Sequence, residues 1–137
     1  MEEDVVSLSA ILLDKDYYWW IMQGKHVLHD VPIVDPEHLI PLKVQAWLNL
    51  SVRKAKGESI DSRDIKKHKN DVFRLLSIIN MESIGEVPKS IKDDLVKFIN
   101  AMNNEIIPFE NLGLGKHEKA EIFNILRIKY GIDKRDV

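Results

Sequence analysis

From Leu39 to Leu50 apolar residues return every three or four positions, at Leu39, Leu42, Ala46 and Leu50. Ile65, Val72, Leu76 and Ile79 repeat the pattern further along. At about 100° per residue each set falls on one face, which predicts two long amphipathic helices. The first starts at Asp35-Pro36-Glu37, a capping Asp followed by Pro at the first helical position, and stops at Gly57 after Lys56. The second starts near Asp61 or Ser62 and carries its apolar residues to Ile79. Beyond the punctuation of Gly85 and Pro88, a third helix is predicted over Lys89–Asn103 and a last one over Lys116–Tyr130, closed by Gly131. The stretch Ile106–Gly115 between them reads as a loop.

The N-terminal third has a different pattern. Val5–Leu13 is β-branched and aliphatic without clean alternation, the mark of a strand covered on both faces. Asp14 or Asp16 can cap a short helix through Tyr17–Met22, ended by Gly24. His26–Val34 reads as a second strand, with Pro32 placing it at a sheet edge. The chain is therefore expected to be α+β and a single domain over residues 1–137. Short N-terminal strands with one short helix occupy 1–35, and a bundle of about four helices occupies 36–137. Two strands make an incomplete sheet, so a homo-oligomer or another chain is expected to complete it.

On these wheels some charged groups fall within the apolar arcs. Lys43 lies about 40° from Leu39, and His68 and Lys69 lie at about 300° and 40° from Ile65, with Asp71 at the arc's edge near 240°. Charge on a core-facing stripe is costly unless it is paired or lines a cleft. Lys43 either snorkels its head to water or a carboxylate, or serves a site. His68 is either a hydrogen-bonded core imidazole or a functional one. The pattern predicts a polar cluster of Lys43, His68, Lys69 and Asp71 between the two helices.

Composition narrows the classes. With 45% hydrophobic and 31% charged residues the chain matches ordinary globular proteins. No apolar run approaches the roughly 20 residues of a membrane span, so no membrane association is expected. The acidic start Met1-Glu2-Glu3-Asp4 is unlike a signal peptide, and the chain has no cysteine; together these predict a cytoplasmic protein. The net charge of −2 hides an uneven distribution, because residues 51–75 carry 8 Lys/Arg against 4 Asp/Glu. That basic segment is either a solvated helix face or a phosphate-facing surface. The four aromatics Tyr17, Tyr18, Trp19 and Trp20 occupy about one helical turn and cannot all face one core.

Other constellations are weaker. Asp64, His68 and Asp71 share one helix side but lack a fourth metal ligand nearby. His26 and His29, three apart in a predicted strand, point to opposite faces. Gly113-Leu114-Gly115-Lys116 lacks the rest of a phosphate-loop pattern and reads as a hinge into the last helix.

The segment Val31–Trp47, with Pro36-Glu37-His38-Leu39-Ile40-Pro41-Leu42-Lys43-Val44-Gln45-Ala46, resembles a strand-to-helix segment of the AbiEii-type nucleotidyltransferases, toxins of type IV toxin–antitoxin systems. That family's second helix carries Lys-Asp-x-x-Asp-hydrophobic-x-x-Leu. The matching stretch is Lys67-His68-Lys69-Asn70-Asp71-Val72-Phe73-Arg74-Leu75, with His68 in place of the first Asp. The resemblance covers roughly residues 5–80. It implies that Lys43, Lys67 and Asp71 serve the nucleotide phosphates, with His68 and Lys69 as weaker candidates.

The resemblance also implies transfer of a nucleoside monophosphate to an acceptor such as RNA, and an antitoxin protein as partner. Magnesium and a nucleoside triphosphate belong to the complete family member. The family's chemistry needs a Gly-Ser phosphate loop and an Asp-x-Asp metal pair. None of the six glycines is followed by Ser. Asp14-Lys15-Asp16 spells the pair, but only 13 residues precede it, so it reads as a helix cap. The chain thus resembles the C-terminal part of such an enzyme without its catalytic half, and no catalytic residue is assigned. The alternative is a non-catalytic domain that binds protein or nucleic acid through the basic segment 52–69 and the aromatic cluster 17–20.

Overall fold

Caps and turn residues delimit the elements of the computed structural model, which describes residues 14–133. Asp14 caps α1 (Lys15–Gly24), its carboxylate accepting from the backbone N–H groups of Asp16 and Tyr17. The chain passes without a loop into β1 (Lys25–Leu28), turns, and returns as β2 (Val31–Val34). Asp35 then caps α2 (Pro36–Ala55) by accepting from the His38 N–H at 2.8 Å. Three helices follow: α3 (Ser62–Leu76), capped by Asp61, α4 (Lys89–Met102) and α5 (Lys119–Tyr130). A 3₁₀ turn over Phe109–Leu112 precedes α5. The fold is α+β, with short strands near the N-terminus and helices after them.

The region expected as one strand, His26–Val34, is an antiparallel hairpin in which Leu28 pairs with Val31 and Lys25 with Val34. His29 and Asp30 adopt φ of 50° and 63°, so the connection is a two-residue turn of the I′ kind. Asp tolerates the left-handed region, but His-Asp is a weaker turn signal than Asn-Gly, and the pattern concealed the reversal. The strand expected over Val5–Leu13 lies outside the described residues.

Smaller differences arise at helix ends. The second long helix ends at Leu76 rather than near Ile79, where the Ser77 hydroxyl donates to the Arg74 carbonyl at 2.6 Å. The last helix begins at Lys119 rather than Lys116, with the Glu121 carboxylate accepting from the Glu118 backbone N–H. The loop 106–115 holds the 3₁₀ turn, closed by Gly113 at φ 88°.

α2 and α3 form a helical hairpin with the most extensive interhelical contact in the molecule, and α4 packs against α2. Ile40, Val44 and Trp47 of α2, Val72, Phe73 and Leu76 of α3, and Ile91, Leu95, Phe98 and Ile99 of α4 share one buried cluster. Its aromatic members meet edge to face, Trp47 on Phe98 at 5.4 Å and Phe73 on Phe109 at 5.4 Å between centroids. α5 contributes Ile122, Phe123, Leu126 and Tyr130. Of the aromatic quartet in α1, Tyr17 and Trp20 are buried and Tyr18 and Trp19 are exposed, as the helical period requires of positions three apart.

α1 and the hairpin are tied to the start of α2. The Trp20 indole N–H donates to the His38 carbonyl at 2.8 Å, and the two rings lie 4.4 Å apart. Gly24 lies directly under His38, and a Cβ at that position would overlap the imidazole. The Asp35 carboxylate bridges two histidines, His38 Nδ1 at 2.8 Å and His26 Nε2 at 3.2 Å.

Candidate functional site

The two lateral faces of the α2–α3 hairpin carry different chemistry. On one face Lys43 of α2 reaches across to α3, placing Nζ 3.2 Å from Asp71 Oδ2. Both side chains are largely covered, with exposures of 24% and 18%. Asp71 also accepts from Arg74 Nη1 at 3.3 Å, one turn further along α3. One carboxylate thus lies between two cations, which leaves the group with a net positive charge.

Lys67 stands on α3 about 40° from Asp71 and one turn before it, exposed to solvent. Its side chain forms no ion pair with the described residues. Lys43 and Arg74 thus both contact Asp71, and Lys67 stands exposed one turn earlier on the same helix.

Lys69 does not belong to this group. Two residues before Asp71, it is turned about 200° around the helix. It is buried on the far side, with Nζ 3.2 Å from Glu105 Oε1 and 3.1 Å from the Ile106 carbonyl oxygen. There it anchors the segment after α4 to α3. His68 is buried on α3. Of the expected polar cluster, the structure brings Lys43 and Asp71 together and sends Lys69 elsewhere.

Sequence reasoning passed over Arg74. The signal was present, since a cation three residues after an acid on a helix can reach it. It also passed over Lys129, whose side chain is 1% exposed. Lys129 Nζ lies 3.1 Å from Glu37 Oε1 and 3.0 Å from Asn80 Oδ1, joining α5 to the first turn of α2.

The Asp-x-Asp tripeptide does not fit a metal pair. Asp14 is occupied as the cap of α1, and Asp16 accepts from the Ser90 hydroxyl at 2.6 Å. Among the described residues no group of three His, Cys, Asp or Glu is arranged to hold a metal ion. No described helix is long and apolar enough to cross a membrane.

A cavity of about 700 Å³ lies elsewhere, between the 3₁₀ turn and the start of α5, lined by Phe109, Glu110, Lys116, His117 and Glu121. His117 Nδ1 lies 3.0 Å from the Glu121 carboxylate there. The hydrogen bonds from the His117 ring and the Glu118 backbone hold the Glu121 carboxyl below its usual range.

These features define an α+β protein in which a helical hairpin carries an ion-paired lysine and a β-hairpin leads directly into the start of α2. Comparison of the chain with protein-family models, curated proteins and solved structures returned no match.

Proposed function

We propose that this chain is the C-terminal module of an AbiEii-like nucleotidyltransferase and that it binds the phosphates of a nucleotide rather than carrying out transfer alone. The observation behind this reading is the Lys43–Asp71 pair across α2 and α3. It joins two of the three positions that the sequence resemblance singles out, although they are 28 residues apart in the chain.

In this reading Asp71 orients Lys43 by using one of its three ammonium donors, leaving the others for phosphate oxygens. Lys67 and Arg74 add charge from the exposed side, and Arg74 supplies a planar fork suited to phosphate. The transfer chemistry itself, with its metal pair, belongs to a Gly-Ser and Asp-x-Asp half that these residues do not supply. An RNA acceptor and an antitoxin partner belong to the same proposal.

Calorimetric titration of the chain with ATP, CTP, GTP and UTP in magnesium buffer tests the reading. Binding in the millimolar range or tighter is expected, weakened about tenfold or more by Lys43→Met with an unchanged melting temperature. Absence of binding, or equal binding by Lys43→Met, defeats it.

A second reading has its own observation. Lys54, Lys56, Arg63, Lys66 and Lys67 are all exposed around the α2–α3 connection, a surface suited to a nucleic-acid backbone. Salt-dependent binding of single-stranded RNA without any nucleotide binding selects this non-catalytic role.

A further inference from the structure

We infer that the β-hairpin is a dimerisation element and that β1, not β2, pairs antiparallel with β1 of a second copy of this chain.

The register identifies which edge is open. In a two-residue hairpin the residues flanking the turn, Leu28 and Val31, form a hydrogen-bonded pair, and bonded pairs alternate thereafter. His26–Ile33 is then bonded, and the ladder continues one step past the strands, where the Asp35 N–H donates to the Gly24 carbonyl at 3.0 Å. The intervening residues, Lys25 and Val27 on β1 and Pro32 and Val34 on β2, turn their backbone groups outward. On β2 the central outward position is Pro32, which has no N–H to offer, so that edge is blocked. On β1 the corresponding position is Val27, whose N–H and C=O have no partner among the described residues. A strand can therefore add to β1 and not to β2.

The side chains around this edge favour burial. All eight strand residues except Val34 are exposed, and Val27 is 69% exposed. Among the described residues, seven of the twelve exposed large apolar ones fall within residues 18–33: Tyr18, Trp19, Met22, Val27, Leu28, Val31 and Ile33. They concentrate uncovered apolar side chains on α1 and the two faces of the hairpin. The limb is also held in place, because the His26–Asp35 contact and the Gly24–Asp35 bond fasten it to the start of α2.

The occupant that matches this edge is another β1. About a two-fold axis, Val27 faces Val27 of the second copy and exchanges both hydrogen bonds with it. The same register sets Lys25 opposite His29 of the turn, next to Asp30, so the cation and the carboxylate come close at both ends. The product is a four-stranded sheet in the order β2-β1-β1-β2, whose two outer edges are the ones that Pro32 blocks.

Sedimentation equilibrium of the full chain tests this. At about 100 µM the wild-type chain is expected at twice its 15.9 kDa monomer mass. Val27→Lys sets two ammonium groups face to face and is expected to give monomer. Val27 is exposed, so the far-ultraviolet circular dichroism and melting temperature of the variant monomer should show it folded. An equimolar mixture of Val27→Lys and Val27→Asp is expected to restore the dimer, which a merely structural effect of either substitution would not do. A monomeric wild-type chain at this concentration overturns the proposal. A dimer that survives Val27→Lys overturns it as well.

Discussion

Tyr130 completes the hydrogen bonding that Pro41 interrupts. Pro41 lies inside α2 and has no N–H, so the Glu37 carbonyl four residues earlier loses its intrahelical donor. The Tyr130 hydroxyl, from the last turn of α5, donates to that carbonyl at 2.6 Å. The phenol is buried, and desolvation, followed by the nearby charges of Glu37 and Asp35, pushes it well above its ordinary titration range. A gap in the hydrogen bonding of α2 thus becomes a docking point for the last turn of α5.

The first prediction concerns this pair. Tyr130→Phe leaves a covered carbonyl without a donor and should cost about 1–3 kcal/mol. Pro41→Ala returns an N–H to the helix, so the cost of Tyr130→Phe should shrink in that background. A double-mutant cycle by urea denaturation measures the coupling, and strict additivity of the two changes excludes the account.

A second prediction rests on an asymmetry around Lys129. Its ammonium is covered, whereas the Glu37 side chain keeps 28% of its surface exposed. Glu37→Ala leaves a buried cation with Asn80 as its remaining polar contact and should cost roughly 3 kcal/mol. Lys129→Met keeps the packed stem, and Glu37 can hydrate, so the loss should stay below about 1.5 kcal/mol. Thermal melts that rank the two variants the other way would refute this.

A third prediction is a pH dependence at the α1–α4 contact, where the Tyr17 hydroxyl donates to Asp94 Oδ2 at 2.7 Å. Desolvation raises the Asp94 carboxyl above its ordinary value, against the opposing effects of that hydrogen bond and of Lys97. A carboxyl raised on folding favours the native state below the unfolded pKa of about 3.9, and that contribution fades as pH rises through the folded value. Asp94→Asn keeps an acceptor for Tyr17 and removes the titration. It should flatten the stability curve just above pH 4 and hold or increase stability at pH 7. Melting temperatures from pH 3.5 to 7 provide the comparison.

The fourth prediction has the opposite sign. Burial alone would raise the Asp35 carboxyl, but hydrogen bonds from the His38 backbone, the His38 ring and the His26 ring prevail and hold it low. A carboxyl lowered on folding stabilises above the unfolded pKa, and the contribution is lost as pH falls through the folded value. Asp35→Ala should therefore lose about 1 kcal/mol at pH 7 as a missing cap and lose progressively less as the pH drops below 4. A constant deficit across that range would show that the carboxylate charge plays no part.

Much of the helical architecture was legible because its determinants are local. Asp35-Pro36 and Asp61 start helices through bonds that span two or three residues, and the apolar stripes of α2, α3 and α4 repeat within one or two turns. The facing of Lys43 and Asp71 was legible for the same reason, since each lies within or at the edge of its helix's buried arc and those arcs must meet. The β-hairpin was not, because reversal at His29-Asp30 depends on two residues taking positive φ, which their side chains permit but do not demand.

The sequence by itself determined where α2, α3 and α4 begin and which stripe α2 and α3 bury, since periodicity and capping act over about four residues. Only the tertiary structure decided the partners of the buried polar groups. Lys69 and Lys129 each lie in a helix whose pattern accounts for their position. Whether they meet Glu105 and Glu37 depends on how elements distant in the chain are brought together. A charge excluded from water must find a counterpart wherever the packing places one, and no spacing along a single helix encodes that choice.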